Sequence, residues 1–201
     1  MDFSKVTGNL TALGYKVREF GTAEEAARWL DTEIDGCTVG LGGSETLHEM
    51  GLYGMLSTHN TVYSHHVIKD GMTADELRRA ACRADIYLSS VNGLSEDGEI
   101  INIDGCGNRV SSVFYGPRKV FLVIGENKIA PDYSKALWRA RNIAGPMNAR
   151  KLGKKTPCAV KADRCYDCKS PDRICRELAV LWACPMGADI SVILVHENLG
   201  Y

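Results

Sequence analysis

The chain has 201 residues, 45% of them hydrophobic and 24% charged, which is enough to close one substantial core and sets a single domain spanning 1–201 as the default. Its 24 Lys and Arg against 25 Asp and Glu leave a net charge of -1, so no bulk field draws in nucleic acid or an anionic membrane surface. The opening residues MDFSKVTGNL lack the basic start and apolar run of a signal peptide, and no apolar stretch approaches the ~18 residues of a membrane span, so a cytoplasmic protein is expected.

In chain order, a short amphipathic helix is predicted from Asp2 to Leu13, then a strand over residues 15–20, whose alternation has period two. Thr22 followed by Glu25 is a capping box that opens a helix with Ala26, Ala27, Trp29 and Leu30 on its apolar face. A buried strand from Cys37 to Leu41 runs into Gly42-Gly43-Ser44, with a helix expected from Glu45 to Met55 and a strand from Thr61 to Ser64. Thr73 and Glu76 form a second capping box, and Asp85 to Ser90 reads as the strand after that helix. Between Val91 and Val123 the turn pairs Asp97-Gly98, Asp104-Gly105 and Gly116-Pro117 predict a small β-meander. Lys119 to Ile124 is the most apolar strand, Pro131 to Leu152 is helical with a break at Gly145-Pro146, and Ile190 to Val195 is a last buried strand. Strands alternating with helices imply a mainly parallel sheet covered on both faces, an α/β fold.

Three features carry chemistry. Cys158-x6-Cys165-x2-Cys168-x6-Cys175 places four of the eight cysteines within eighteen residues of a polar segment, in a loop at 156–176. Thiolates are soft ligands for iron or zinc, and a Cys-x2-Cys pair lets two sulfurs from one turn reach a single centre. Buried or disulfide-bonded cysteines are the alternative, though disulfide scaffolds belong mostly to short secreted chains. Zinc sites usually show two short ligand pairs, whereas here the outer cysteines stand alone, which favours a [4Fe–4S] cluster with zinc as the alternative. The spacing resembles the cluster loop of some DNA glycosylases, a likeness confined to this loop.

The second feature is Val39-Gly40-Leu41-Gly42-Gly43-Ser44-Glu45-Thr46, a strand entering a glycine turn ahead of a helix. Such a turn lets backbone amides approach an anion, so Gly42, Gly43, Ser44 and Thr46 are candidate ligand-binding residues, a simple strand-to-helix connection being the alternative. It is neither G-x-G-x-x-G nor a Walker A sequence. In the third, Asn102, Asp104, Gly105, Asn108 and Arg109 set polar groups at turns near the ends of strands, where open α/β sheets bind ligands. Arg109 is suited to a carboxylate or phosphate through its two-pronged fork. The histidines 48, 59, 65, 66 and 196 show no metal pattern, because His65 and His66 as strand neighbours would face opposite ways.

At these residues the chain resembles the lactate-utilisation (LUD) domain family, related to the lactate-utilisation protein C group. The matching stretches include Gly40 to Ser44, Ala84-Asp85, Asn92 to Gly105, Gly107-Asn108-Arg109, Gly125-Glu126-Asn127-Lys128, Arg141 to Ala144, Cys165-Tyr166-Asp167-Cys168 and Leu199-Gly200-Tyr201. The resemblance implies a three-layer α/β/α fold shared with ribose-5-phosphate isomerase and CoA transferases, whose members bind sugar phosphates or CoA at the glycine turn. A looser similarity to the sugar-phosphate isomerases makes Asp85 a candidate for proton handling, with the nearby carboxylates Glu96 and Asp104 beside it as catalytic candidates. It further implies an accessory or catalytic subunit of a lactate (2-hydroxy-acid) utilisation system; an isomerase- or transferase-like enzyme with a structural metal is the alternative. The partners expected are a small carboxylate or phosphate and iron–sulfur subunits, with homo-oligomers left open and neither nucleic acid nor membrane. The chain lacks a ferredoxin Cys-x2-Cys-x2-Cys run and a dinucleotide turn, so lactate oxidation by this chain alone with a nicotinamide is not expected.

Overall fold

The computed structural model describes residues 1–201. In chain order the elements are α1 (Ser4–Ala12), β1 (Lys16–Phe20), α2 (Ala23–Glu33), β2 (Thr38–Leu41), α3 (Glu45–Glu49), α4 (Leu52–Leu56), β3 (Thr61–Tyr63), α5 (Ala74–Ala81) and β4 (Ile86–Ser89). There follow β5 (Gly93–Ser95), β6 (Ile100–Asp104), α6 (Asn108–Phe114), β7 (Lys119–Gly125), β8 (Ile129–Ala130), α7 (Tyr133–Arg139), α8 (Gly145–Lys151), α9 (Pro157–Lys161), β9 (Glu177–Leu181) and β10 (Ile190–Val195).

Both capping boxes form. Thr22 Oγ1 accepts from the Glu25 amide at 3.2 Å while the Glu25 carboxylate accepts from the Thr22 amide at 3.1 Å, and Thr73 with Glu76 does the same at the start of α5. Six strands make one wholly parallel sheet in the order β1-β10-β7-β4-β2-β3. Parallel strands need a covering layer on each face, and the side chains alternate accordingly. Val120, Leu122 and Ile124 of β7 enter one core with α1, α5, α6 and the small sheet, whereas Phe121 and Val123 enter the other with α2, α3 and α4. Each of those buried side chains contributes roughly 1.5–3 kcal/mol of apolar burial, which makes β7 the anchor of the domain.

The expected β region between the central strands is a mixed four-stranded sheet in the order β8-β5-β6-β9. It is wider than a simple meander: the turn-rich stretch also holds α6, and β9 arrives from far along the chain to pair antiparallel with β6. Neither was visible in the sequence, because α6 is only seven residues long and the β9 stretch Glu177–Leu181 opens with two exposed residues and buries only Leu181. Two other boundaries moved. Gly51, at φ 65°, breaks the helix expected over residues 45–55 into α3 and α4. The break expected at Gly145-Pro146 is a π-helical turn over Ala140–Ala144 instead, with the Gly145 amide reaching back to the Ala140 carbonyl. Opening the turn just before Pro146 absorbs the donor that proline lacks, so the axis continues into α8. No helix is long and apolar enough to cross a membrane.

Candidate functional site

Three neighbouring strands, β7, β4 and β2, end at the same edge of the sheet, and the turns that leave them enclose a cleft of about 670 Å³. Carboxyl ends of parallel strands are where this class of sheet binds ligands, since the turns there are free of the sheet's own packing. Gly43 and Ser44 from the turn after β2, and Asp104, Gly105, Asn108 and Arg109 from the far end of β6 and the start of α6, line this one cleft. Gly42, Thr46 and Asn102 stand behind it. Thr46 is fully buried and its hydroxyl donates to the Leu199 carbonyl, and Ser44 uses its side chain to cap the Leu47 amide. With α3 reduced to five residues, only a short helix dipole stands behind the glycine turn.

The floor of the cleft is a residue that sequence reasoning missed. Lys128, 3% exposed, follows β7 through a single 3-10 turn, and its Nζ donates to Thr46 Oγ1 at 2.8 Å and Ser90 Oγ at 2.9 Å. No carboxylate lies within ion-pairing distance of it. Burial, reinforced by the charges of Arg139 and Arg109, pushes its pKa down to about 7, with Glu49 opposing. The signal was available: a lysine immediately after the most apolar strand of a parallel sheet sits at the carboxyl edge by construction.

Two arginines hold the walls. Arg139, on α7, donates from Nε to the Asn127 carbonyl at 2.6 Å and from Nη1 to the Asn92 carbonyl at 2.8 Å, tying the turns after β7 and β4 together. Arg109 donates to Asn102 Oδ1 at 2.6 Å, Asn92 Oδ1 at 3.1 Å, and the carbonyls of Ile103 and Ser90 at 2.7 and 3.4 Å, with its Nε 3.8 Å from Asp104. Its fork is therefore spent on the protein rather than open for a ligand. Asp104 likewise accepts from the amides of Gly105, Cys106 and Val110, shaping the turn. His65 and His66 do meet at the cleft, their rings 4.2 Å apart beside Gly43. Burial lowers both, His65 to about 4, so both are neutral at neutral pH, and the buried His65 Nδ1 has no partner.

The other two carboxylates picked out in the sequence lie elsewhere. Asp85 precedes β4 and so sits at the opposite, amino end of the sheet, accepting from the Thr38 amide and hydroxyl and facing Arg118. Glu96 lies in the hairpin between β5 and β6, paired with Lys5 on the surface. Neither borders the cleft, so Asp104 alone of the three is near it. Because Asp85 opens its strand in a wholly parallel sheet, it falls at the amino edge by the same logic that sets Lys128 at the carboxyl edge.

The cysteine loop forms the wall next door. Cys158 rides on α9, capped by Thr156, and residues 162–176 carry no helix or strand. All four cysteines border a second cavity of about 250 Å³, together with Arg141, Asp167 and Arg173. Cys165 Sγ accepts from the Asp167 amide at 3.3 Å and from Arg141 at 3.8 Å, while Arg173 donates to the Cys168 and Cys175 carbonyls. The thiols are unpaired, and no three His, Cys, Asp or Glu side chains are drawn close enough to hold a metal ion. Four soft donors around one cavity, with cations beside them, suit a thiolate-bound centre in chemistry; the sulfurs would have to close upon it. Cys175, with its neighbours Arg173, Ile174 and Arg176, lines both cavities.

The LUD domain family model matches residues 3–195. No curated protein matches the chain. Among solved structures, a DUF162 family protein from Deinococcus radiodurans is similar with a TM-score of 0.53 and 14% identity, covering 97% of this chain and 99% of that one. eIF2B delta and eIF2B beta from Chaetomium thermophilum align with TM-scores of 0.36 and 0.34 over 66% of this chain, at 16% and 10% identity and covering 54% and 44% of their own chains. At such identity the first likeness speaks to the fold, and the other two carry no argument.

Proposed function

Because the chain belongs to the LUD domain family, and so among lactate-utilisation-related proteins in general, we propose that it is a working subunit of 2-hydroxy-acid utilisation. In this reading it binds a small carboxylate at the carboxyl edge of its sheet and carries a [4Fe–4S] cluster alongside. The observation that carries the reading is the shared wall: Cys175 borders both the cleft with Lys128 at its floor and the cavity of the four thiols.

Six basic side chains line the cleft, Arg78, Arg109, Lys128, Lys154, Arg173 and Arg176, against the carboxylates of Glu45, Asp104 and Asp172. That imbalance favours an anion over the neutral background of the whole chain. Cys158, Cys165, Cys168 and Cys175 would hold the cluster, which when bound supplies single-electron transfer. No dinucleotide turn accompanies them, since the Gly40-x-Gly42-Gly43 turn lacks the third glycine of the dinucleotide pattern and leads into a five-residue helix whose Leu47 amide is capped by Ser44. The electron acceptor is accordingly a partner subunit or a ferredoxin-type carrier.

The test is metal analysis and an absorption spectrum of anaerobically purified protein, joined to lactate and pyruvate binding by thermal shift. Stoichiometric iron and sulfide with a visible chromophore, together with stabilisation by either acid, are expected. Colourless protein with tightly bound zinc would instead support an isomerase- or transferase-like enzyme whose metal is structural. Lactate-dependent NAD reduction by the purified chain alone would overturn the subunit assignment.

A further inference from the structure

We propose that Lys128 is a nucleophilic amine and that the cleft takes a 2-oxo acid, whose carbonyl carbon the amine attacks to form an imine. The inference rests on the reading that the cleft receives a small carboxylate, and adds to it a covalent chemistry and a substrate class.

The amine is built for that role by its neighbours. A neutral lysine has two N–H groups and one lone pair, and here two hydroxyl oxygens, Thr46 Oγ1 at 2.8 Å and Ser90 Oγ at 2.9 Å, take its two N–H groups. Protonation would add a third N–H for which the protein offers no acceptor. The charged groups that face it reinforce the neutral form: Arg109 from α6 and Arg139 from α7 are positive and pinned by their own hydrogen bonds, while Glu49 of α3, the one opposing carboxylate, forms no ion pair with it. A desolvated lysine beside fixed cations is the arrangement that leaves an amine nucleophilic at neutral pH. The pKa lowered to about 7 agrees with the geometry.

The step balances without an oxidant. The nitrogen lone pair forms the N–C bond as the carbonyl π bond breaks, and the oxygen takes up a proton to give a carbinolamine. Loss of that oxygen as water then forms the C=N bond. Both amine hydrogens end in the water; the Ser90 hydroxyl, which lines the cleft, is the one placed to pass a proton on, while Thr46 holds the amine from behind. The carboxylate of the same acid finds Arg78 and Lys154 among the residues lining the cleft.

The purified protein is incubated with pyruvate and sodium borohydride, then digested and analysed by mass spectrometry. One reduced pyruvate adduct on the peptide containing Lys128 is expected, absent in Lys128→Met and slowed about tenfold in Ser90→Ala, as loss of one hydrogen-bonding hydroxyl should do. Binding of lactate, which has no carbonyl, is followed in parallel by thermal shift. Stabilisation by lactate and pyruvate with no adduct would overturn the imine while leaving the anion cleft standing. Neither binding nor adduct would remove both. Adducts spread over surface lysines at comparable yield would equally sink the proposal, because only a specific amine is claimed. Should Lys128→Met fail to fold, the site of labelling in the wild type and the Ser90→Ala rate decide the matter.

Discussion

The two cavities that meet at Cys175 are built in opposite ways. The carboxyl-edge cleft is shaped by backbone: three parallel strands end together, and Arg139, Arg109 and Lys128 cross-link their turns with hydrogen bonds that need no ligand. The thiol cavity is shaped by side chains on a segment, residues 162–176, that has no regular structure, and its contacts run from arginines to the loop's own carbonyls. A pre-formed site keeps its geometry when empty, whereas a loop of this kind takes its final geometry from what its cysteines hold. Perturbing one should therefore leave the other largely intact.

The largest effect is expected from Cys168→Ser, which removes a donor from the short Cys-x2-Cys pair. Iron content and visible absorbance should fall to near zero while pyruvate still stabilises the protein; loss of ligand binding as well would show that the cleft depends on the loop. Next is Lys128→Met. Losing a neutral hydrogen-bonding amine worth roughly 0.5–1.5 kcal/mol should weaken lactate binding up to about 10-fold by calorimetry, and pyruvate binding further through the lost imine, with bound iron unchanged.

The same variant sharpens the comparison through pH. Folded Lys128 is held down to about 7 from an unfolded value of 10.5, so between those values the unfolded chain binds the extra proton and wild-type stability rises with pH. Below that window the penalty of the buried ammonium is complete. Lys128→Met should lack this slope and be the more stable protein at pH 7, by a few kcal/mol or roughly 5–10 °C in melting temperature. A melting curve for the variant that tracked the wild type across this pH range would contradict the burial argument.

Arg109→Lys comes third. An ammonium cannot span Asn102, Asn92 and the Ile103 carbonyl together, so unfolding in urea should show a loss of about 2–3 kcal/mol and, through the loosened wall, weaker ligand binding. The smallest effect belongs to Asp85→Asn, at the far edge of the sheet. It should alter neither ligand binding nor metal content, and a marked fall in either would restore Asp85 to the site.

The layered fold was legible because its cause is local and periodic. The alternation of Val120 to Ile124 and the two Thr-to-Glu capping boxes each state their structure within a few residues. β9 was not, since it is an edge strand whose first half, Glu177 and Leu178, is exposed and whose burial begins only at its far end with Leu181. For the site, Cys158 to Cys175 declared themselves by spacing, and Asp104 to Arg109 by turn chemistry. Arg109 shows the limit of such reading: its residue type fitted a ligand fork, but only the fold reveals that Asn102, Asn92 and two carbonyls occupy every prong. Lys128 was not singled out, and His65 with His66 was set aside as facing opposite ways, because both gain their chemistry from burial among residues distant in sequence.

The place of β10 in the sheet has a consequence for how the chain acquires its structure. β1 has no partner other than β10, pairing Lys16 with Ser191 through Phe20 with Val195, and β10 itself lies between β1 and β7. During synthesis the first strand leaves the ribosome with its hydrogen-bonding edge unmatched and must wait until residue 195 has emerged. Meanwhile β7, β4, β2 and β3 can already assemble, with a row of free amides and carbonyls along β7 where β10 will insert. Such an order is slow by contact topology and leaves an adhesive apolar edge open in the interval. Nascent chains stalled before β10 should accordingly depend on chaperones, although the turns bearing Ser90 and Lys128 are already present in them.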